Sequence, residues 1–260
     1  MKKRNFKRCS IIKVPEKEVK KHYDLIKQYQ RFDLSGIPSR FWLPNSNIKV
    51  GFKNAKGITQ NIKDAILVLA NEWCVNTSVQ FVEEKNPANY DILVGFLKNW
   101  GMGSVIGNRS KIYASLGKTS MNLDPTWGLE EGFENKVGYK YEYLRGTIRH
   151  EFGHALGFIH EHQRSDRPWV WNKAWMKSHI NLLGLGGWKS IINNYIKKEN
   201  DLSNIKSSFD FDSVMIYGFS AKTNFQGISV DDKNYLSTLD IETVNLIYPK
   251  WFKGYIPIHV

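Results

Sequence analysis

The sequence predicts an α+β fold in which a regular first lobe precedes a less regular second one. Two observations carry that expectation. Short β-type runs and an amphipathic stretch at helical spacing occupy residues 41–124, and a histidine-rich helical segment follows them. Beyond residue 168 the chain is rich in Trp, Gly and Asn, with only one or two helical patterns. A chain of 260 residues with 42% hydrophobic side chains can bury a substantial core, as one large domain or as two lobes of one.

Residues 1–38 read as an N-terminal extension. After Pro15, the run EKEVKKHYDLIKQYQRF places Val19, Tyr23, Ile26 and Tyr29 along one helical stripe, and DLSGIPSR (33–40) is a loop of turn residues. A strand is expected around Ile48–Phe52. Residues 61–76 set Ile62, Ala65, Ile66, Leu69 and Trp73 at helical spacing, which predicts a core-facing helix. VQFVE (79–83) and DILVGF (91–96) are strand candidates between turn signals, and so are KIYASLG (111–117) and SMNLD (120–124) after glycine-rich turns. A helix over 145–156 carries the histidines. WKSIINNYIKK (188–198) predicts a helix in the second lobe, and TLDIETVNLIYP (238–249) a last one, with Pro249 ending it.

Composition removes several function classes. The formal charge of +12 invites a nucleic-acid reading, yet nine of the basic residues crowd into the first 21 positions and no nucleic-acid module accompanies them. No nucleic-acid partner is expected. No run approaches the 18 or so apolar residues of a membrane span, so no membrane partner is expected either. With Cys9 and Cys74 alone, a disulfide-rich scaffold is excluded. The basic opening MKKRNFKRC lacks an apolar segment after it and does not read as an intact signal peptide.

The chemistry lies in RHEFGHALGFIHEHQRSDR (149–167), where four histidines and two glutamates fall within thirteen residues. On a helix, His150 and His154 stand one turn apart on the same face and can bind one metal together. Glu151 follows the first ligand, close enough to take a proton from a metal-bound water without ligating. Gly157, just past the last turn, permits a left-handed conformation that ends the helix and lets the chain bring back His160 as a third ligand. Three neutral nitrogen donors suit zinc and leave an open position, the arrangement of a catalytic centre. The Gly and third His at fixed offsets make this far more specific than a bare HExxH.

With these motifs the sequence resembles the metzincin zinc proteases, and among them the astacin family. The likeness continues through Glu161, Arg164, Asp166 and Arg167 in HEHQRSDR, and through DFDSVMIYG (210–218), which is similar to the family's Met-turn. It spans about residues 39–250. The resemblance implies a metzincin-type catalytic domain over 39–260: an N-terminal lobe with a twisted mixed sheet and two long helices, an irregular C-terminal lobe, and the active-site cleft between them. It implies a zinc endopeptidase with one Zn²⁺ per chain, held by His150, His154 and His160. Glu151 would act as general base and Met215 as an apolar floor. Tyr217 would be a displaceable fourth ligand that hydrogen-bonds the oxyanion, and Glu161 would help anchor a mature N-terminus.

Protein or peptide substrates, a monomeric state and secretion are implied in the same way. The position before Tyr217, usually a histidine in the family, is Ile216, and the two disulfides of secreted animal members cannot form. If residues 1–38 are a pro-segment, Cys9 is a candidate latency ligand, since a thiolate binds zinc well. Asp33 does not sit in the family's aspartate-switch pattern. The alternative function is a catalytically silent zinc protein of the same fold that binds protein partners; the presence of Glu151 argues against it.

Overall fold

A computed structural model describes residues 40–129, 133–183, 187–198 and 208–250. The helix and loop expected within 1–39, and Cys9 with them, lie outside the described residues.

The first strand, β1 (Asn47–Phe52), buries Ile48 and Val50 completely, and β2 (Gln80–Glu83) and β3 (Ile92–Gly95) lie parallel on either side of it. All four residues of β3 are buried, as a strand covered on both faces requires. Two short strands complete the sheet, β4 (Gly103–Ser104) and β5 (Met121–Asn122), in the order β2-β1-β3-β5-β4. Among the described strands only the edge strand β4 runs antiparallel.

Helix α1 (Gln60–Asn71) starts at Thr59, whose hydroxyl accepts from the Ile62 amide, and buries Ile62, Ile66, Leu69 and Ala70. It stops five residues short of the expected end. Turns over 72–76, with Asn76 at φ 64°, carry the chain into β2 while still burying Trp73. Residues 110–115 depart from expectation too: they form a helix, α2 (Ser110–Ser115), not a strand. The alternation of Ile112 and Ala114 mimics a strand over so short a run. Helical winding begins earlier, in the 3₁₀ turn Gly107–Arg109, and Gly117 at φ 65° ends it.

Helix α3 (Tyr139–Ala155) is longer than expected and presents Leu144, Ile148, Phe152 and Ala155, all fully buried, to the sheet lobe. The second lobe holds α4 (Lys173–Ser178) and α5 (Trp188–Ile191), which continues as one π-type turn over Ile192–Ile196. The last helix, α6 (Thr238–Ile247), opens with a capping box between Ser237 and Asp240.

Among the described residues two hydrophobic cores define the lobes. The first joins the sheet, α1 and α3, and it also takes in Val244 and Tyr248, so α6 returns to the first lobe. The second gathers Trp169, Trp171, Met176, Tyr195 and Phe219. Consecutive residues of one turn belong to different cores, Val214 and Met215 to the first, Ile216 and Tyr217 to the second. The histidines lie at this seam.

Candidate metal centre

Helix α3 carries His150 and His154 into the seam, and its end brings in the third ligand. Gly157, at φ 107°, occupies the residue past the cap: its amide donates to the His154 carbonyl (2.9 Å) and the Phe158 amide to the Gly153 carbonyl (3.1 Å). That pair of bonds is a Schellman motif, which reverses the chain in a single turn. A Cβ at Gly157 would lie 2.4 Å from the Phe41 ring, so space as well as backbone demands glycine. The exposed carbonyls at the helix end find partners across the first lobe, Ala155 from the Trp42 indole (2.7 Å) and Leu156 from the Tyr248 hydroxyl (2.7 Å).

Candidate ligand atoms of His150, His154 and His160 lie within 4.8 Å of one another, and all three residues are buried. Each ring is aimed by its Nδ1. His150 meets the Val214 carbonyl at 2.7 Å, His154 the Phe158 carbonyl at 2.8 Å, and His160 the Gln163 side-chain oxygen at 2.8 Å. Gln163 is itself oriented, because its amide nitrogen donates to the Asn193 carbonyl at 2.7 Å. Three acceptors at Nδ1 require three Nδ1–H tautomers, leaving every Nε2 as a lone pair. The Nε2 atoms of His154 and His160 face each other at 3.1 Å, and that of His150 is buried with no hydrogen-bond partner. Converging, proton-free nitrogens with their outer atoms hydrogen-bonded are what a zinc ion needs. Burial holds His150 down to about 4, against the Val214 carbonyl and the Asp232 carboxylate, and holds His154 and His160 well below their ordinary range. All three therefore stay neutral, as metal ligands must.

Other expected site residues gather around the triad. Glu151, one residue after the first ligand, is fully buried. The Tyr217 ring stacks on His150 (5.6 Å between centroids) and approaches His160 (4.2 Å). Met215 is buried beneath α3, and a Cβ at Gly153 would come within 2.4 Å of its sulfur. Glu161 lies in a cavity beside Met215 and Arg164, accepts from the Asp210 amide at 2.9 Å, and is pushed up to about 8 chiefly by burial.

Besides Gln163, sequence reasoning gave no role to two further residues that build the site. Asp240 accepts from the Ser213 hydroxyl (2.6 Å) and the Val214 amide (2.9 Å), and so fixes the turn whose Val214 carbonyl aims His150. Its sequence signal is the S-x-x-D capping box at 237–240. His162 is buried between His160, Tyr195 and Tyr217; one ring nitrogen bonds the Asn194 carbonyl (2.6 Å) and the other accepts from the Tyr217 amide (3.3 Å).

Comparison with known proteins agrees with this geometry. The family model for Astacin, a peptidase family, matches residues 136–249. High choriolytic enzyme 1 of Oryzias latipes is 28% identical over 185 residues, covering 66% of this chain and 55% of that protein. Astacin-like metalloprotease toxin 2 of Loxosceles intermedia is 31% identical over 117 residues, covering 40% and 42%. The chain thus spans about half the length of these curated relatives. Among solved structures, that of myroilysin superposes with a TM-score of 0.68 at 26% identity, covering 82% of this chain and 97% of that one. High choriolytic enzyme 1 superposes at 0.53 and 21% identity, a likeness of fold. Among the described residues no helix is long and apolar enough to cross a membrane.

Proposed function

We propose that this chain, whose residues 136–249 match the Astacin family model, is a zinc metalloprotease of that family with one Zn²⁺ per chain as its cofactor, and an endopeptidase that hydrolyses peptide bonds in proteins. The observation that carries the proposal is the convergence of three buried, neutral imidazoles within 4.8 Å, with Glu151 in the same helical turn. Zinc, when bound, supplies a Lewis acid that polarises the scissile carbonyl and acidifies a water.

The chain's own residues do the rest. Glu151 takes the proton of the attacking water and hands it to the leaving amine. Its burial excludes bulk water from that exchange. Tyr217, packed against His150 and His160, serves as a displaceable ligand and then donates its phenol proton toward the oxygen on which charge develops. Met215 floors the site, and Gln163, Val214 and Phe158 keep the three ligands aimed. Glu161, in its cavity beside Asp210 and Asp240, is suited to receive an ammonium group; a trimmed N-terminus is the group we assign to it. In this reading residues 1–38 are a pro-segment in which Cys9 is either a free thiol or the ligand that blocks the site before trimming, and the protease is exported and acts as a monomer.

The test is cleavage of a denatured protein by wild type and by Glu151→Ala, each before and after trimming near residue 38, with zinc measured in both. We expect cleavage by wild type alone, with one zinc in each protein. Zinc in both and cleavage by neither, trimmed or not, would favour a silent zinc-binding protein instead.

A further inference from the structure

A pocket opens beside His150 and Tyr217, between one face of α3 and the segment that follows the Met-turn. Its volume is about 390 Å³ counting the open mouth. Its lining comes from Tyr143 and Thr147 of α3, from the apolar Val214 and Ile216, and, on the side away from the helix, from Asp232, Lys233 and Asn234. That far side is pinned. Asn234 gives its carbonyl to the Arg149 guanidinium (2.8 Å) and packs where a Cβ at Gly146 would meet it at 2.6 Å. Tyr235 lies over the same guanidinium and donates to Glu142 at 2.6 Å. The wall therefore holds its charges in place.

One acidic and one basic side chain line the pocket, Asp232 and Lys233, and they are not equivalent. Lys233 is engaged by Asp212 at 2.8 Å. Asp232 uses one carboxylate oxygen to accept from the Gly218 amide (2.7 Å), a bond that orients the group without neutralising it. An apolar base under an anionic rim matches a long cationic side chain, whose methylenes rest on Ile216 and Tyr143 while its head meets the carboxylate.

We infer that Asp232 makes this pocket select a lysine or arginine side chain directly flanking the cut bond, and reject an acidic one. The inference rests on the endopeptidase reading above. Asp232 is exposed, so its interactions are screened by solvent, and replacing attraction by repulsion there amounts to at most about tenfold in selectivity.

The experiment is to digest a complex peptide mixture with the trimmed, zinc-loaded protein and to sequence the cut sites. Asp232→Asn is run in parallel; it keeps the acceptor for Gly218 and removes the charge. Wild type should enrich Lys and Arg about tenfold over Asp and Glu at one flanking position, and the variant should lose that preference. A flat profile, an acidic preference set by Lys233, or identical wild-type and variant profiles would overturn the assignment while leaving the protease standing. Failure of wild type to cut any peptide or denatured protein would instead remove the endopeptidase reading, and this inference with it.

Discussion

Replacing Gly157 by alanine tests how far the metal centre depends on a single backbone turn. Two terms oppose the substitution. At φ 107° an L residue is strained by about 2 kcal/mol. The new methyl would also stand 2.4 Å from one carbon of the Phe41 ring and 2.6 Å from another. That ring cannot easily yield, since it is buried edge-on against Phe158 (6.3 Å) and Tyr248 (6.1 Å), and overpacking of this kind costs about 1–3 kcal/mol. Together the terms give about 3–5 kcal/mol, or about 10 °C in Tm for a chain of this size. Gly117→Ala is the internal control: its φ is 65° with nothing within 4 Å of a Cβ, so only backbone strain of about 1 kcal/mol applies. Relief of the clash must move Phe158, whose carbonyl aims His154, and so zinc affinity should fall about 10- to 100-fold in Gly157→Ala alone. Thermal unfolding and competition against a zinc chelator measure both effects. If the two variants melt within a degree of each other and bind zinc equally, the turn does not position the ligands and the argument fails.

Two further outcomes follow from buried groups. Asp240→Asn places an amide where the Val214 and Ser237 amides now donate, at 2.9 and 3.0 Å, so it should lower stability by about 2–4 kcal/mol in urea unfolding. Because Val214 aims His150, zinc should also bind more weakly; unchanged zinc affinity would separate α6 from the site. Burial pushes the Cys74 thiol up to about 12, against the Thr77 hydroxyl and the Phe81 backbone. At pH 8 the folded protein should therefore resist alkylation at Cys74 and the unfolded chain should not. The raised folded value means this group's contribution is complete below the unfolded thiol's pKa of about 8.5 and is lost between there and about 12, which alkaline unfolding curves of Cys74→Ser would report.

What the sequence made legible was local. His150 and His154 at one-turn spacing, and Gly157 at the position past the cap, are fixed by helix geometry alone, and all three sit where that geometry puts them. Long-range partners were legible only where a side chain announced them. Two of the three Nδ1 acceptors are backbone carbonyls, of Val214 and Phe158, and a carbonyl carries no sequence signal. His162 lacks ligand spacing, and its buried place between the Asn194 carbonyl and the Tyr217 amide depends on the second lobe folding against the first. Helix α2 was misread because six residues hold too few periods to separate 2.0 from 3.6. The return of Val244 and Tyr248 to the first core is a topological fact that periodicity within α6 does not contain.

The same network makes a strong claim about metal removal. With every Nδ1 proton committed to an acceptor, no proton is left to bridge the His154 and His160 nitrogens that face each other at 3.1 Å. Adding one would create an imidazolium in a site where burial already depresses basicity. Three proton-free nitrogens converging in one buried place are matched by a cation rather than by a proton. Zinc binding should stabilise the folded chain by about 4 kcal/mol when free metal exceeds its Kd a thousandfold. A chelator should accordingly lower Tm by about 10 °C in wild type and equally in Glu151→Ala, since Glu151 is not a ligand in this scheme. His160→Ala should melt at one temperature with or without chelator, having lost the ligand that closes the triad. A wild-type Tm indifferent to chelation would mean that the three nitrogens are satisfied in some other way, and the metal centre argued from their tautomers would fall.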